Sequence, residues 1–141
     1  MEIGELLKQT VLFGDLSDSE IERLAQSTRV QDYRPGQVII REGRIGAAFF
    51  IIVSGNVEVV KDINSTQPLA LAILGVGEFF GEIATMKHEI RSASVKALED
   101  TKCLVIWQVD FGSYLSRHPE VAAKLESVYS ARFGPESDSD D

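Results

Sequence analysis

Phe49-Phe50-Ile51-Ile52-Val53-Ser54-Gly55-Asn56-Val57-Glu58-Val59-Val60-Lys61 is the stretch from which the fold can be read. In an extended chain, alternate side chains point to opposite faces. Phe50 and Ile52 form one set and Phe49, Ile51 and Val53 the other, so both faces of the run are apolar. Ser54-Gly55-Asn56 supplies a turn into a second strand, Val57–Lys61. Upstream, the texture changes at Arg29. Pro35-Gly36 marks a turn, and VIIR (38–41) reads as a short strand before Glu42-Gly43. Downstream, Asn64-Ser65 opens a loop, and three more strands are expected at Leu69–Leu74, Ser92–Ala97 and Cys103–Trp107. Short strands about ten residues apart, separated by glycine turns, point to an antiparallel roll or barrel.

Helical patterns flank the strands. Leu6, Leu7, Leu12 and Phe13 suggest apolar contacts along a short first helix. Ser17-Asp18-Ser19-Glu20 matches the capping box S-x-x-E, and Ile21, Leu24 and Ala25 then share a face of a helix ending near Ser27-Thr28. After the strands, Phe111, Tyr114 and Leu115 have helical spacing from Asp110. Pro119 opens PEVAAKLESVYSARF, with Val121, Leu125, Val128 and Phe133 as its apolar positions. Gly134-Pro135 ends it. Residues 1–133 read as one domain, and 134–141 as an acidic, disordered tail.

The 141 residues suit one domain with one core. No apolar run approaches the ~18 residues of a membrane span, and MEIGELLKQT has no signal-peptide pattern. The single cysteine, Cys103, excludes an internal disulfide and fits a reducing, cytoplasmic compartment. The net charge of −8 disfavours nucleic-acid backbone as a partner. Four acids lie in the tail, and without them 14 basic residues face 18 acidic ones, or −4. A small anion can still bind where the local groups are positive.

Gly75-Val76-Gly77-Glu78-Phe79-Phe80-Gly81-Glu82-Ile83-Ala84-Thr85-Met86 is the stretch that carries chemistry. Its end is long enough for a turn or two of helix opened by Gly81. Free N–H groups at such a start, with the helix dipole behind them, form a seat for an anion. Nine residues beyond Glu82, Arg91 can offer a phosphate a planar, permanently charged fork. A cyclic nucleotide needs this mixture: one phosphate charge for the arginine, and a ribose 2′-hydroxyl for the carboxylate. Taken blind, a glycine-rich turn with one Glu and one Arg also describes an ordinary loop with a surface ion pair.

The string FGEIATMKHEIRSASV (80–95) resembles the phosphate-binding cassette of the cyclic-nucleotide-binding domain family. The family pattern is F-G-E-[L/I]-A, a variable stretch, then R-[A/S/T]-A-[T/S]-V, and the gap between Glu82 and Arg91 matches it without insertion. PGQVIIREG and FFIIVSGNVEVV resemble the family's early strands, and the likeness covers roughly residues 10–130. Thr85 and Lys87-His88-Glu89-Ile90 depart from the pattern, which has an apolar residue and a Gly/Pro-containing loop there.

The resemblance implies a mainly β fold: an antiparallel, jelly-roll-like β-roll with an N-terminal helical bundle and C-terminal hinge and lid helices. It implies that Glu82 accepts from the ribose hydroxyl and that Arg91 pairs with the phosphate. Backbone groups of Gly81, Glu82, Ile83, Ala84 and Ala93, after Phe80, would support the sugar-phosphate, with Ser92 beside the phosphate or base. The helix from Pro119 is the candidate lid, and Tyr129, Arg132 and Phe133 are its candidates for stacking on the purine. The helix is read as separable: a chain ended after His118 is expected to keep the roll folded. The expected ligand is cyclic AMP, with cyclic GMP weaker, because Ser92 occupies a slot where serine occurs in bacterial members that prefer cyclic AMP. The chain is expected to be a stand-alone, bacterial-type regulatory module whose helix movement a protein effector reads. The rival reading is a protein-interaction module that keeps the fold and does not use nucleotide.

Other chemistries are set aside on the residues. GVGEFFG (75–81) lacks the βαβ unit that a dinucleotide fingerprint requires. A cupin-type metal site needs clustered histidines, whereas His88 and His118 are far apart and read as surface residues. Glu78, Glu82 and Glu89 could form an acid–base pair, but the cassette accounts for Glu82 and the other two read as solvated. Cys103 reads as an inert core thiol and Trp107 as packing. No cofactor, metal, membrane or DNA contact is expected, and no enzymatic activity. The acidic end after Phe133 is expected to repel DNA.

Overall fold

In the computed structural model, the described residues are 3–10, 12–43, 48–81 and 93–133; for 108–110, 126 and 128–133 only the backbone is described. The run that begins at Phe49 forms β3, Ala48–Ser54, whose first five residues are all buried. Its two apolar faces point into two different cores. Phe49 and Ile51 face an outer core shared with helices, and Phe50 and Ile52 face an inner core between two sheets.

The sheets are antiparallel and four-stranded. One has the order β1-β8-β3-β6 and the other β2-β7-β4-β5. The first contains β1 (Thr28–Tyr33), β8 (Thr101–Trp107), β3 and β6 (Phe79–Phe80). The second contains β2 (Val38–Ile40), β7 (Ser94–Ala97), β4 (Val57–Lys61) and β5 (Leu69–Leu74). β8 repeats the logic of β3. Ile106 and Leu104 pair with Phe49 and Ile51 on the outer face, and Val105 and Cys103 with Phe50 and Ile52 on the inner one.

The helices cover the outer face. They are α1 (Ile3–Lys8), α2 (Asp18–Gln26), α3 (Gln108–Arg117) and α4 (Pro119–Phe133). The expected capping box opens α2: Ser17 Oγ accepts from Glu20 N at 3.2 Å, and Ser17 N donates to Glu20 Oε1 at 3.3 Å. Ile21 and Leu24 then join Leu7, Phe111, Tyr114, Val121 and Leu125 in the outer core. Phe111 stacks on Phe49 with centroids 4.2 Å apart, and Tyr114 meets Phe13 edge-on at 5.4 Å. N-terminal and C-terminal helices therefore share one apolar layer.

The architecture is the expected β-roll with helices at both ends, with local corrections. α1 stops at Lys8, so Leu12 and Phe13 lie in the following turn, which Thr10 Oγ1 holds by donating to Leu7 O at 2.7 Å. β1 went unread because Arg29, Gln31 and Asp32 give an edge strand little apolar content. β6 went unread because it has only two residues. Nor is α4 separable: Val121 is 4% exposed and Leu125 fully buried, so its first turns belong to the core. Trp107 is 42% exposed, with the Arg29 guanidinium 4.9 Å above its ring, and is not a core packing residue. The tail 134–141 lies outside the described residues.

Gly55 and Gly77 both have left-handed φ, at 88° and 87°. A side chain in that region costs roughly 1–2 kcal/mol. A Cβ on Gly77 would meet nothing, whereas one on Gly55 would collide with Asp100 O and lie 2.8 Å from Thr101 Cα. Gly55→Ala should therefore lose at least ~1 kcal/mol more than Gly77→Ala, since forced overpacking costs about 1–3 kcal/mol. Urea unfolding of both variants measures the gap; equal losses would show that the β3–β4 turn is not sterically limited.

Candidate functional site

The segment singled out in the sequence begins where β6 leaves the first sheet. Phe80 is 2% exposed and stacks on Phe50 with centroids 4.8 Å apart and ring planes 3° apart. The neighbouring Phe79 faces the other way, onto Phe49 at 5.6 Å. The two phenylalanines thus anchor a two-residue strand in both cores at once. Ile52 adds backbone bonds, donating to Glu78 O and accepting from Gly77 N, each at 2.9 Å. Gly81 follows immediately with φ at 88°, a conformation that a side chain would resist. The chain turns at this point, and Gly81 here terminates a strand.

The other end of the segment enters the second sheet. Ala93 packs against the inner core, and Ser94 opens β7 opposite Val60. Ser94 is 1% exposed, and its Oγ accepts a hydrogen bond from Glu42 N at 3.0 Å. The Glu42 carboxylate accepts from Asp62 N at 2.8 Å, and Asp62 has φ at 58°. Arg41, Glu42, Gly43, Asp62, Asn64, Ser65 and Ser94 line an open cleft beside this end. From the sequence, Glu42-Gly43 is expected only to follow the strand VIIR, with no contact to β7. The buried serine within R-S-A-S-V was the available signal for this contact, but its partner lies 52 positions away.

Of the expected ligand-binding residues, Phe80, Gly81 and Ala93 are placed at the two mouths of the segment. Glu82, Ile83, Ala84, Arg91 and Ser92 lie outside the described residues, as do Thr85, His88 and Glu89. Tyr129, Arg132 and Phe133 fall on α4, with side chains outside the described set. Glu78 is exposed as expected, and its carboxylate also closes the turn by accepting from Gly75 N at 2.7 Å. Cys103 is fully buried, which pushes its thiol up to about 12, beyond the range of a reactive thiolate. His118, expected at the surface, is half-buried: its side chain is 14% exposed and stacks on Tyr114. No described helix is long and apolar enough to cross a membrane.

A family model for the cyclic nucleotide-binding domain matches residues 30–118. The cyclic AMP receptor protein of Thermus thermophilus is 32% identical over 127 residues, covering 90% of this chain and 59% of that protein. Human cGMP-dependent protein kinase 2 is 34% identical over 122 residues, covering 85% of this chain and 16% of the kinase. The chain therefore spans only part of the length of either relative. A crystal structure of a cyclic nucleotide-binding domain from Methylobacillus flagellatus superposes with a TM-score of 0.73 at 28% identity, covering 93% of this chain and 76% of that one.

Gly81→Ala tests whether the first mouth needs its left-handed turn. The fold should survive with a loss of roughly 1–2 kcal/mol, since no core side chain is removed. Cyclic nucleotide binding should fall at least tenfold. Circular dichroism with isothermal titration checks both, and unchanged affinity would remove Gly81 from the site.

Proposed function

We propose, from the premise that this chain belongs to the cyclic nucleotide-binding domain family, that it binds a 3′,5′-cyclic nucleoside monophosphate at segment 80–93 and passes that event to a protein effector. The observation that carries this reading is the pair of fixed mouths. Phe80 and Ser94 are both locked in buried contacts, one in each sheet, and the chain between them holds Glu82 and Arg91 at the family spacing. Arg91 pairs with the cyclic phosphate. Glu82 accepts from the ribose 2′-hydroxyl, and backbone groups from Gly81 to Ala84 and at Ala93 support the sugar-phosphate. The role is regulatory and non-catalytic, carried by residues 1–133 in the cytoplasm, with 134–141 as a tail.

The second half of α4 is the lid. Its first turns are built into the outer core through Val121 and Leu125, so capping belongs to the part that bears Tyr129, Arg132 and Phe133. Burying an exposed purine face there stabilises the complex at ~25 cal/mol per Å². Cyclic AMP is the preferred ligand and cyclic GMP the weaker one, on the strength of Ser92. The relatives include proteins named for each nucleotide, so a competition assay decides: stronger displacement by cyclic GMP overturns the preference.

Arg91→Ala should cost roughly 2–5 kcal/mol of binding, as when a charge loses its partner. At ~1.4 kcal/mol per tenfold, that is a drop of about 20-fold or more. Glu82→Ala should cost about 1.5–3 kcal/mol and abolish discrimination between ribose and 2′-deoxyribose ligands. Calorimetry that finds Arg91→Ala within threefold of the parent refutes the site and favours a nucleotide-independent interaction module. Ending the chain after Ser127 keeps Leu125 and should speed dissociation of a fluorescent cyclic nucleotide more than tenfold in stopped flow. Equal rates from two folded proteins would mean that α4 is no lid.

A further inference from the structure

A second cluster of titratable groups sits where α3 meets α4, and nucleotide binding makes no use of it. His118 is the joint. Its N–H closes α3 by donating to Leu115 O at 3.1 Å, and its carbonyl opens α4 by accepting from Val121 N at 2.9 Å. Its ring stacks on Tyr114 with centroids 4.4 Å apart and planes 27° apart. Nε2 lies 3.3 Å from Glu20 Oε2 on α2, and Nδ1 lies 3.4 Å from Glu120 Oε2 on α4. The other oxygen of Glu20 closes the capping box of α2. One imidazole therefore faces a carboxylate from the N-terminal helices and a carboxylate from the lid helix.

The chemistry of the ring makes this arrangement proton-dependent. A neutral imidazole has one N–H and one bare nitrogen, so it can donate to only one of two carboxylates. Its bare nitrogen would then face the other carboxylate lone pair to lone pair. An imidazolium donates to both. The charged and titratable groups around the ring are Glu20 and Arg23 from α2, Tyr114 and Arg117 from α3, and Glu120 from α4. Arg117 is engaged with Ser113 Oγ at 3.1 Å. Tyr114 stays neutral, because burial and then the Glu120 and Glu20 carboxylates push its ionisation well above the usual phenol range. A cavity of about 170 Å³ between α2 and α3 opens beside the ring and gives protons access.

We propose that His118 is a proton-operated latch that, when protonated, bridges Glu20 and Glu120 and so pins the start of the lid helix to α2. Both contacts, at 3.3 and 3.4 Å, can be donated by the ring at once only as the imidazolium, so the bridge and its stabilisation belong to the acid side and not to the basic side. The latch itself stands on the described geometry; its effect on ligand release rests on the function proposed above. Val121 and Leu125 keep the first turns of α4 in the core in either state; bridged, the α3–α4 joint is fixed as well and the nucleotide leaves slowly. Unbridged, the lid end is freer and release is faster.

The test uses the full chain at pH 6 and pH 8. Glu20→Gln with Glu120→Gln removes both charges, and Gln at position 20 can still close the capping box. His118→Gln is the second variant, and His88 is common to all three proteins. Without nucleotide, the urea midpoint of the parent should be higher at pH 6 than at pH 8, and that gap should shrink by at least half in both variants. With a fluorescent cyclic nucleotide, the parent should release about two- to fivefold more slowly at pH 6, as expected of a partly exposed charge pair. Both variants should show little pH dependence. An undiminished stability gap in the variants overturns the latch, whatever the nucleotide does. The expected gap with no nucleotide bound at either pH supports the latch and instead sinks the proposed function. The expected gap, with release that ignores pH in the parent, overturns the coupling of latch to lid.

Discussion

Everything in this molecule is arranged to cover one strand on both sides. β3 places Phe49 and Ile51 against helices and Phe50 and Ile52 against a second sheet, all at most 7% exposed. Fully burying a large apolar side chain stabilises by about 1.5–3 kcal/mol, so neither face can be left to water without a cost comparable to a domain's whole stability. A helical layer alone would leave Phe50 and Ile52 wet, and a second sheet alone would leave Phe49 and Ile51 wet. The three-layer order of helices, first sheet and second sheet follows from that constraint, and β8 repeats it through Leu104, Ile106, Cys103 and Val105.

The segment proposed to bind nucleotide is a consequence of the same layering. β6 joins the first sheet beside β3, and β7 joins the second beside β4. The chain between them has to pass from one sheet to the other, and both of its ends are rigid because both are core contacts. Phe80 cannot shift without unstacking from Phe50, and Ser94 cannot shift without stranding Glu42 N. A ligand seat carried by such a segment is pre-organised at its margins, which lowers the ordering cost of binding. The outer core extends the connection to the far end of the chain, because α3 and α4 pack on the face opposite the roll interior.

How legible each part was depends on how local its cause is. β3, β4 and the capping box at Ser17 were readable because their patterns are complete within a few residues. The loop-bounded β5 was readable for the same reason. β1 was hidden because it is an edge strand whose polar residues pair across to β8, as in the 3.0 Å contact of Asp32 with Lys102. β6 was hidden because two phenylalanines do not make a pattern until Phe49 and Phe50 lie beside them. Glu82 and Arg91 are proposed through family resemblance alone and lie outside the described residues; their spacing by itself also fits an ordinary loop. The surface expectation for His118 failed because the two carboxylates that face its ring come from α2 and α4, and only the Tyr114 stack is local in sequence. Val121 and Leu125 were correctly read as an apolar face, but sequence does not say that the face belongs to the core.

The most direct measurement of the central claim is a backbone-amide NMR titration of the assigned protein with cyclic AMP. The account predicts saturable shifts at Gly81 and Ala93 and through 82–92, extending to the end of α4, with β1 and the β4–β5 hairpin nearly still. An absence of shifts at millimolar nucleotide, or saturable shifts that leave Gly81 and Ala93 unmoved, would contradict it.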